Sequence, residues 1–427
     1  MPENTSLILV ALFVLVFGVY SKRLAKGILT PPMAFTAFGL LLTPPLLGMG
    51  ALTFEHPAVH LLAEMTLVLV LFADAARIHL PALRRAYSLP VRLLTVGMPL
   101  TIILGALAAT LIFDSLTISE ALILAVILAP TDAALGQAVV SSSRVPVRIR
   151  QTINVESGLN DGIAVPLLVL FMTYADVTLR EQPVAHWVLF ASRQVILGPI
   201  VGVVIGYVGG KLIMWGDRTA NMNHAFRQLA ILSLAILAFA LAEWEWIGGN
   251  GFIAAFCAGM TVGNTARSSC ECLFDFLEVE GQLLTLMAFL LFGGLMILPA
   301  AELWDMQTFF YATLSLTVIR MVPVAVGLVG AGLRPISPLF IGWFGPRGLA
   351  SIVFALVVVE RHGIAGGERI FSVCIATVLL SIILHGVSAY PLSAVYARYV
   401  DQFKQHENSE EHIVVHEHPA RVPMHES

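Results

Sequence analysis

Long apolar blocks alternate along the chain with short breaks that are charged or rich in proline and glycine. Each block is close to the ~20 residues that an α-helix needs to cross the hydrocarbon core of a bilayer. The pattern therefore predicts about thirteen membrane-spanning helices, which we number as spans in chain order. Their predicted first residues lie near Ser6, Gly27, Ala58, Val91, Ile118, Ile149, Trp187, Phe226, Trp246, Gln282, Phe309, Ser337 and Ile370.

The composition is that of a membrane protein. Hydrophobic residues make up 58% of the 427 positions and charged residues make up 12%, whereas a soluble domain is about one quarter charged. The predicted fold class is an all-α polytopic membrane protein in contact with the lipid bilayer. The net charge of −4 does not indicate a nucleic-acid partner. No segment outside the apolar blocks is long enough for a catalytic or nucleotide-binding domain, so we expect neither an enzyme nor a cofactor.

Basic residues are concentrated in the loops that follow odd-numbered spans and in the C-terminal tail. These regions hold 18 of the 24 lysines and arginines, and the loops on the other side hold three. Because positively charged loops stay in the cytoplasm, we expect the N-terminus outside the cell and the C-terminus inside. The predicted division is a transmembrane domain at residues 1–399 and a short polar, histidine-rich cytoplasmic tail at residues 400–427.

Several ionisable residues lie inside predicted spans. The acids are Asp74, Asp132, Glu156 and Asp161, and the bases include Arg320 and Arg347. A charge at the bilayer centre costs at least about 2.5–3.5 kcal/mol, so such residues usually have a function. We interpret them as the lining of a polar cavity. His385, which lies in span 13, is predicted instead to make a helix–helix hydrogen bond.

Two spans contain proline and glycine in mid-membrane. Span 5 contains Ala129-Pro130-Thr131-Asp132, and span 12 contains Gly342-Trp343-Phe344-Gly345-Pro346-Arg347-Gly348. Proline interrupts a helix because it lacks a backbone donor, and two interrupted spans at matching positions are typical of a transporter's binding site. The two spans are seven apart and therefore antiparallel, which predicts an inverted repeat of spans 1–6 and spans 8–13. Asp132 and Arg347 have the charges that would balance the ends of two crossing, broken helices.

The densest polar cluster is in span 6, where residues 154–162 read Asn-Val-Glu-Ser-Gly-Leu-Asn-Asp-Gly. Helical spacing places Ser157 and Asp161 on one face, and Glu156 and Asn160 form a second pair one position around. A carboxylate, a hydroxyl and the carbonyls of a broken helix suit a hard monovalent cation. Removal from water also favours the protonated form of a carboxylic acid. We therefore expect Asp161 to bind either a cation or a proton, as an exchanger requires.

Three motifs together resemble the signatures of the monovalent cation:proton antiporters, in their NhaP/NHE-like, Asn-Asp branch. They are Pro130-Thr131-Asp132, Glu156-Ser157-Gly158-Leu159-Asn160-Asp161-Gly162 and Phe344-Gly345-Pro346-Arg347-Gly348-Leu349-Ala350. The resemblance covers essentially the whole membrane domain. It implies exchange of Na⁺ (or K⁺ or Li⁺) for H⁺ by a homodimer in the inner (plasma) membrane of a prokaryote. It also implies elevator-like alternating access and, from the Asn-Asp pair, electroneutral one-for-one exchange.

The resemblance further implies roles for individual residues. Asp161 would carry the cation or the proton, with Ser157 and the Thr131 carbonyl as Na⁺ ligands. Asp74 would complete the site, Asn160 would lie beside it and Asp132 would support it. Glu156 and Arg320 would form a structural ion pair. The residues at the crossing of the broken helices would be Arg347, Pro130 and Pro346. Related archaeal members have a glutamate on span 3, whereas this chain has the shorter Asp74, so the choice among Na⁺, K⁺ and Li⁺ is open.

Three other functions remain open from the residues alone. A sodium-coupled symporter of a small organic anion would also use broken helices in an inverted repeat, although the acidic cluster favours a bound cation. An intramembrane aspartyl protease would also have acids in neighbouring spans, but its usual Gly-x-Gly-Asp motif is absent at Asp161. An ion channel is compatible with the composition, but the sequence has no repeated filter loop.

Overall fold

The computed structural model describes most of the chain, and all regular secondary structure in the described residues is helical. These residues are 3–24, 28–43, 57–78, 88–132, 134–142, 144–176, 184–219, 221–266, 281–360, 363–402 and 411. The predicted all-α fold class is confirmed.

We label the main helices in chain order. The first half contains α1 (Glu3–Leu24), α2 (Pro31–Leu41), α3 (Pro57–Arg77), α4 (Ser88–Ile112), α5 (Ile118–Ile127) and α6 (Val147–Ala175). The connecting helix is α7 (Val184–Arg218). The second half contains α8 (His224–Glu243), α9 (Gly251–Thr265), α10 (Gln282–Ala301), α11 (Met306–Gly327), α12 (Ile336–Trp343), α13 (Leu349–Val359) and α14 (Gly367–Asp401). α4 and α10 each include a π-helical segment, at Leu93–Gly97 and Phe292–Met296.

Many of these helices have the length and hydropathy of membrane spans. Eight of them, α3, α4, α6, α7, α8, α10, α11 and α14, contain a stretch long and apolar enough to cross a bilayer. Shorter apolar helices occur at Ile8–Ser21 and in α2, α5, α9 and α13. The chain is therefore a multi-pass membrane protein, as the hydropathy pattern predicts. The number of spans and the sidedness of the termini stay predictions.

Both predicted helix interruptions are present. α5 ends at Ile127, and the described residues 128–132, which include Pro130, and 134–136 are not helical. A short helical turn follows at Gln137–Val140. In the second half, α12 ends and α13 begins on either side of a non-helical segment that contains Pro346. A proline cannot donate to the helical hydrogen-bond ladder, and its ring clashes with the preceding turn. The two halves of each broken span therefore end and begin in the interior of the protein.

Two helix pairs next to the broken spans agree with the inverted repeat. α2 packs on α10, and α3 packs on α9. Helices α2, α3, α9 and α10 correspond to spans 2, 3, 9 and 10. A repeat that relates spans 1–6 to spans 8–13 maps span 2 onto span 9 and span 3 onto span 10. It therefore maps the pair α2–α10 onto the pair α9–α3. Glycines allow close approach in both, with Gly293 of α10 against the backbone of Thr36 and Gly259 of α9 against the backbone of Phe72. Small residues at helix interfaces are the usual means of tight packing in membranes.

The broken helices belong to a second group of packed helices. α4 packs on α5 and α11, α5 packs on α6, and α13 packs on α14. α3 contacts α6 and α13, so it connects this group to the helix pairs described above. The arrangement places span 6, both breaks and α3 around one interior region.

The predicted polar tail lies almost entirely outside the described residues, and the division at residue 399 stays a prediction. α14 continues to Asp401. Glu411 is described and is 1% exposed. Its carboxylate accepts hydrogen bonds from the Arg334 backbone N–H at 2.7 Å and from the Ser337 hydroxyl at 3.0 Å. This residue therefore contacts the start of α12, although the composition of the tail indicates only solvated chain.

Close packing at Gly259 predicts that even one added methyl group destabilises the protein. A Cβ atom there would lie 2.8 Å from the Phe72 carbonyl carbon and 2.9 Å from its Cα, which are backbone atoms that cannot rotate away. We expect Gly259→Ala to lower the apparent Tm of the detergent-purified protein, because overpacking of this kind costs about 1–3 kcal/mol. The control is Gly18→Ala, since no atom lies within 4 Å of a Cβ at Gly18. Equal Tm values for the two variants would contradict the packing described here.

Candidate ion-binding site

The two broken spans are joined by Asp132. Its backbone N–H donates to the Pro346 carbonyl at 2.8 Å. One carboxylate oxygen accepts the Leu349 N–H at 2.8 Å, and the other accepts the Ala134 N–H at 2.7 Å. Leu349 is the first residue of α13, so a negative charge lies at the N-terminus of a half-helix, where the helix dipole is positive.

Arg347 has the opposite position in the crossing. Its Nη1 atom donates to the carbonyls of Ala129 at 3.1 Å, Pro130 at 3.3 Å and Gly345 at 3.3 Å. The first two carbonyls follow the C-terminal end of α5, where the helix dipole is negative. Arg347 is completely buried. The helix end at each break thus faces a side chain whose charge is opposite to the local helix dipole. In each case that side chain belongs to the other broken span.

Span 6 contacts the break at Thr131 through two side chains. The Ser157 hydroxyl donates to the Thr131 carbonyl at 2.6 Å, and the Asn160 amide donates to the Thr131 hydroxyl at 2.8 Å. All three residues are at most 3% exposed. The structure therefore brings together three of the predicted site residues, and it gives Asn160 a contact with the break that helical spacing alone does not indicate.

Asp161 lies on the same part of α6. It is one helical turn beyond Ser157, so these two positions share one face, and it follows Asn160 directly in the chain. Asp161 is 5% exposed. Its carboxyl group is thus buried on the helix face of Ser157, whose hydroxyl contacts the non-helical backbone at Thr131. Carboxylate, hydroxyl and carbonyl oxygens are the ligands that hard cations prefer.

Asp74 approaches the cluster from α3. A Cβ added to Gly158 would lie 3.8 Å from the Asp74 Cβ, so the acid lies against the helix turn between Ser157 and Asp161. Asp74 also lines a cavity that reaches the first residues of α2 and α10. The other residues around this cavity include Pro31, Arg77, Gln137, Gln282 and Thr285. The predicted span 3 acid therefore lies beside Gly158 of α6 and also in the wall of this cavity.

Glu156 and Arg320 form a buried ion pair between α6 and α11. The two guanidinium–carboxylate contacts are 2.7 and 2.8 Å long, and both residues are 2% exposed. A bidentate pair of this kind is strongly directional. Removing one partner would leave a buried charge without compensation. The resulting loss of stability would be much larger than the net stability that the pair contributes.

Two serines near the crossing have no part in the sequence interpretation. The Ser351 hydroxyl donates to the Ile127 carbonyl at 2.8 Å, and the Ser381 hydroxyl accepts the Arg347 N–H at 2.7 Å. Single serines in apolar helices are common, so neither is conspicuous in the sequence. The i, i+4 spacing of Ser381 and His385 on span 13 is the one signal that could have drawn attention to Ser381.

Sequence comparison with known proteins finds relatives that are named as K(+)/H(+) antiporters. The K(+)/H(+) antiporter NhaP of Alkalimonas amylolytica is 28% identical over 400 residues, which cover 91% of this chain and 66% of that protein. The K(+)/H(+) antiporter NhaP2 of Shewanella sp. (strain ANA-3) is 25% identical over 372 residues, which cover 86% of this chain and 62% of that protein. The chain thus spans slightly less than two thirds of the length of these relatives.

Solved structures show the same fold. The sodium proton antiporter MjNhaP1 of Methanocaldococcus jannaschii, solved at pH 8, matches with a TM-score of 0.73 and 17% identity. The match covers 92% of this chain and 99% of that one. An electron-microscopy structure of the same antiporter gives a TM-score of 0.74 and 18% identity, covering 96% and 100% of the two chains.

The family comparison agrees with the three motifs and with the fold. It gives no support to the organic-anion symporter, and these relatives are transporters rather than enzymes. The profile of the sodium/hydrogen exchanger transmembrane family matches residues 8–395, which is nearly the entire membrane region. The chain belongs to the sodium/hydrogen exchanger family.

Proposed function

We propose that this protein is a secondary active antiporter that exchanges Na⁺, or K⁺ or Li⁺, for H⁺ by alternating access. The observation that carries the proposal is the buried arrangement of Ser157, Thr131 and Asp161. The Ser157 hydroxyl and the Thr131 carbonyl oxygen are 2.6 Å apart, and the buried Asp161 lies on the same face of α6 as Ser157. One carboxylate with neutral oxygen ligands matches the charge of a single monovalent cation.

Competition at Asp161 supplies the coupling. The ionised carboxylate attracts a cation, and desolvation in the protein interior makes the uncompensated charge costly. A buried carboxylate therefore takes up either a cation or a proton. Since the two occupants neutralise the same charge, binding of one excludes the other. A carrier that moves only when this charge is neutralised exchanges one occupant for the other.

The other predicted site residues are assigned supporting roles. Ser157 and the Thr131 carbonyl bind the cation, and Asn160 orients Thr131. Asp74 completes the site through a bridging water, because its side chain is one methylene shorter than glutamate. Asp132, Arg347, Pro130 and Pro346 maintain the crossing, and the ion pair of Glu156 with Arg320 stabilises the neighbouring helices.

The cavity beside Asp74 is the cytoplasmic access path in this proposal. Pro31 and Gln282 lie at the first turns of α2 and α10, and Arg77 is the last residue of α3. With the N-terminus outside, all three helix ends are cytoplasmic. The conformation described here is then open to the inside. Access from the outside would follow a movement of the helices that contain the breaks against the pairs α2–α10 and α3–α9.

The remaining parts of the proposal are supported by family resemblance. We propose a homodimer in the inner membrane of a prokaryote, with electroneutral exchange of one cation for one proton. The names of the relatives include both K⁺ and Na⁺ antiporters, so both ions are candidate substrates. Flux measurements with Na⁺, K⁺ and Li⁺ against a pH gradient would distinguish them.

Asp161→Asn should abolish exchange. The amide is nearly isosteric with the carboxyl group but can neither ionise nor release a proton, so it removes both binding reactions. In proteoliposomes with an internal pH dye, cation-driven proton movement should fall to the rate of protein-free liposomes. The matched control is Asp217→Asn, which removes an acid that pairs with Arg227 at the end of α7, and this variant should exchange normally. Normal exchange by Asp161→Asn would disprove the site.

Electroneutral exchange predicts a rate that does not respond to voltage. Sodium-driven proton flux is measured in K⁺-free proteoliposomes with a gradient of the permeant anion thiocyanate, which imposes a membrane potential without supplying a candidate substrate. Liposomes with equal thiocyanate on both sides are the control. We expect equal initial rates with either sign of potential. A rate that rises or falls with the potential would show that each cycle moves a net charge across the membrane.

A further inference from the structure

A row of polar side chains on α14 faces the break in span 12. Ser381, His385 and Ser388 are spaced at i, i+4 and i+7 and therefore share one face of the helix. Ser381 and His385 are at most 1% exposed. The mechanism proposed above uses none of them. Polar groups buried this deeply in a membrane helix usually satisfy a specific partner.

Ser381 and His385 bind the backbone on opposite sides of the break. The Ser381 hydroxyl accepts the Arg347 N–H at 2.7 Å. The His385 Nε2 atom lies 2.8 Å from the carbonyl oxygen of Trp343, which is the last residue of α12. The ends of a helix leave such backbone groups without intrahelical partners, and in a membrane interior an unpaired group costs several kcal/mol. The two side chains supply those partners.

Both ring nitrogens of His385 lie near a carbonyl oxygen, Nε2 near that of Trp343 and Nδ1 near that of Ser381. Only Nδ1 also has a hydroxyl that can donate to it, so the neutral tautomer in which both nitrogens form a hydrogen bond carries its proton on Nε2 and donates to Trp343. In the neutral ring Nδ1 is then an acceptor, and the Ser381 hydroxyl lies 3.1 Å from it. The hydroxyl can accept from the Arg347 N–H and donate to Nδ1 at the same time. The result is a continuous chain of hydrogen bonds from Arg347 through Ser381 and His385 to Trp343.

A second proton on His385 would change this arrangement. Nδ1 lies 2.9 Å from the Ser381 carbonyl oxygen, which could accept a hydrogen bond from Nδ1 only if this nitrogen carried a proton. However, the guanidinium groups of Arg347 and Arg320 are also buried in this region. Arg320 is paired with Glu156, whereas the contacts given for Arg347 are to backbone carbonyls. An additional buried cation beside them is unfavourable. The neutral Nε2–H form is therefore the one that the surroundings stabilise.

We propose that His385 and Ser381 are positioning residues for the exchange reaction. They hold the two chain ends of the span 12 break, and thereby fix Arg347 on the carbonyls that follow α5 and Leu349 on Asp132. These contacts in turn hold Thr131 beside Ser157 and Asp161. The inference rests on the proposed function, because its consequence is the affinity of the site for the transported cation.

The side chain of His385 can be replaced with or without its donor. Glutamine places an amide N–H at about the distance of Nε2–H and cannot titrate near neutrality, whereas phenylalanine fills the space without donating. In proteoliposomes, His385→Phe should raise KM for the cation about tenfold, which corresponds to the ~1.4 kcal/mol typical of one buried hydrogen bond. His385→Gln should restore KM to near the wild-type value and keep the wild-type pH profile, because the ring acts in its neutral form.

Ser381→Ala tests the other end of the same chain of hydrogen bonds. It should raise KM in the same direction as His385→Phe. The matched control is Thr377→Val, one turn earlier on α14, because the Thr377 hydroxyl donates only within its own helix, to the Val373 carbonyl at 2.7 Å. This variant removes a buried hydroxyl and should leave KM unchanged. A lower Tm with wild-type KM in both His385→Phe and Ser381→Ala would show that the residues serve packing alone and would overturn the proposal.

Hydrogen–deuterium exchange of the purified protein separates this inference from the proposed function. The Arg347 amide should exchange faster in Ser381→Ala than in the wild type and in Thr377→Val, whether or not the protein transports an ion. If wild-type proteoliposomes show no cation–proton exchange, the proposed function fails, and unaltered amide protection in Ser381→Ala contradicts the positioning role separately. Loss of affinity in His385→Gln equal to that in His385→Phe would contradict the donor role.

Discussion

Backbone groups at the ends of broken helices must find partners inside a membrane protein, and this requirement organises the interior described here. The hydrocarbon core of the bilayer supplies no water to pair with them, so each unpaired N–H or C=O group is costly. Asp132 accepts the first N–H of α13, and Arg347 donates to the carbonyls that follow α5. Ser351 and Ser381 pair further groups on both spans. The polar residues that look misplaced in apolar spans are largely the partners that this constraint demands.

The same constraint gives a physical reason for the proposed position of the ion site. The Thr131 carbonyl is free of helical hydrogen bonding because the helix is broken, and its partner is the hydroxyl of Ser157. A hydroxyl–carbonyl contact can be exchanged for contacts with a small cation, whereas a helical N–H···O=C bond cannot without unwinding the helix. Since Asp132 and Arg347 compensate the helix ends with fixed charges, the break needs no ion to persist. In the proposed mechanism, the site can therefore be emptied and refilled during a transport cycle.

Sequence patterns predicted the parts of this structure that depend on composition and local chemistry. The apolar blocks indicated the helices, and proline with glycine indicated both breaks, because each has a direct effect on the backbone. The seven-span offset predicted an inverted repeat, and the exchanged pairs α2–α10 and α3–α9 agree with it. The residues that would surround an ion were proposed from helical spacing and family resemblance, and their roles in transport stay predictions.

Contacts between distant segments could not be read from the sequence. The partner of Glu156 could be any intramembrane arginine on spacing alone, and only family resemblance pointed to Arg320. The contacts of His385 and Ser381 with span 12 depend on how α14 lies against the break. Glu411 contacts the start of α12 although composition indicates a solvated tail. Each of these depends on tertiary packing, which periodicity and local propensity do not determine.

Cation affinity as a function of pH tests most directly whether one carboxylate carries both substrates. Calorimetric titration of the purified protein with NaCl, and separately with KCl, gives the Kd at each pH in a buffer without other monovalent metal ions. Competition by a single proton predicts that the Kd falls about tenfold for each unit rise in pH while the acid is protonated, and then reaches a plateau. A Kd that stays constant from acidic to alkaline pH would contradict the account.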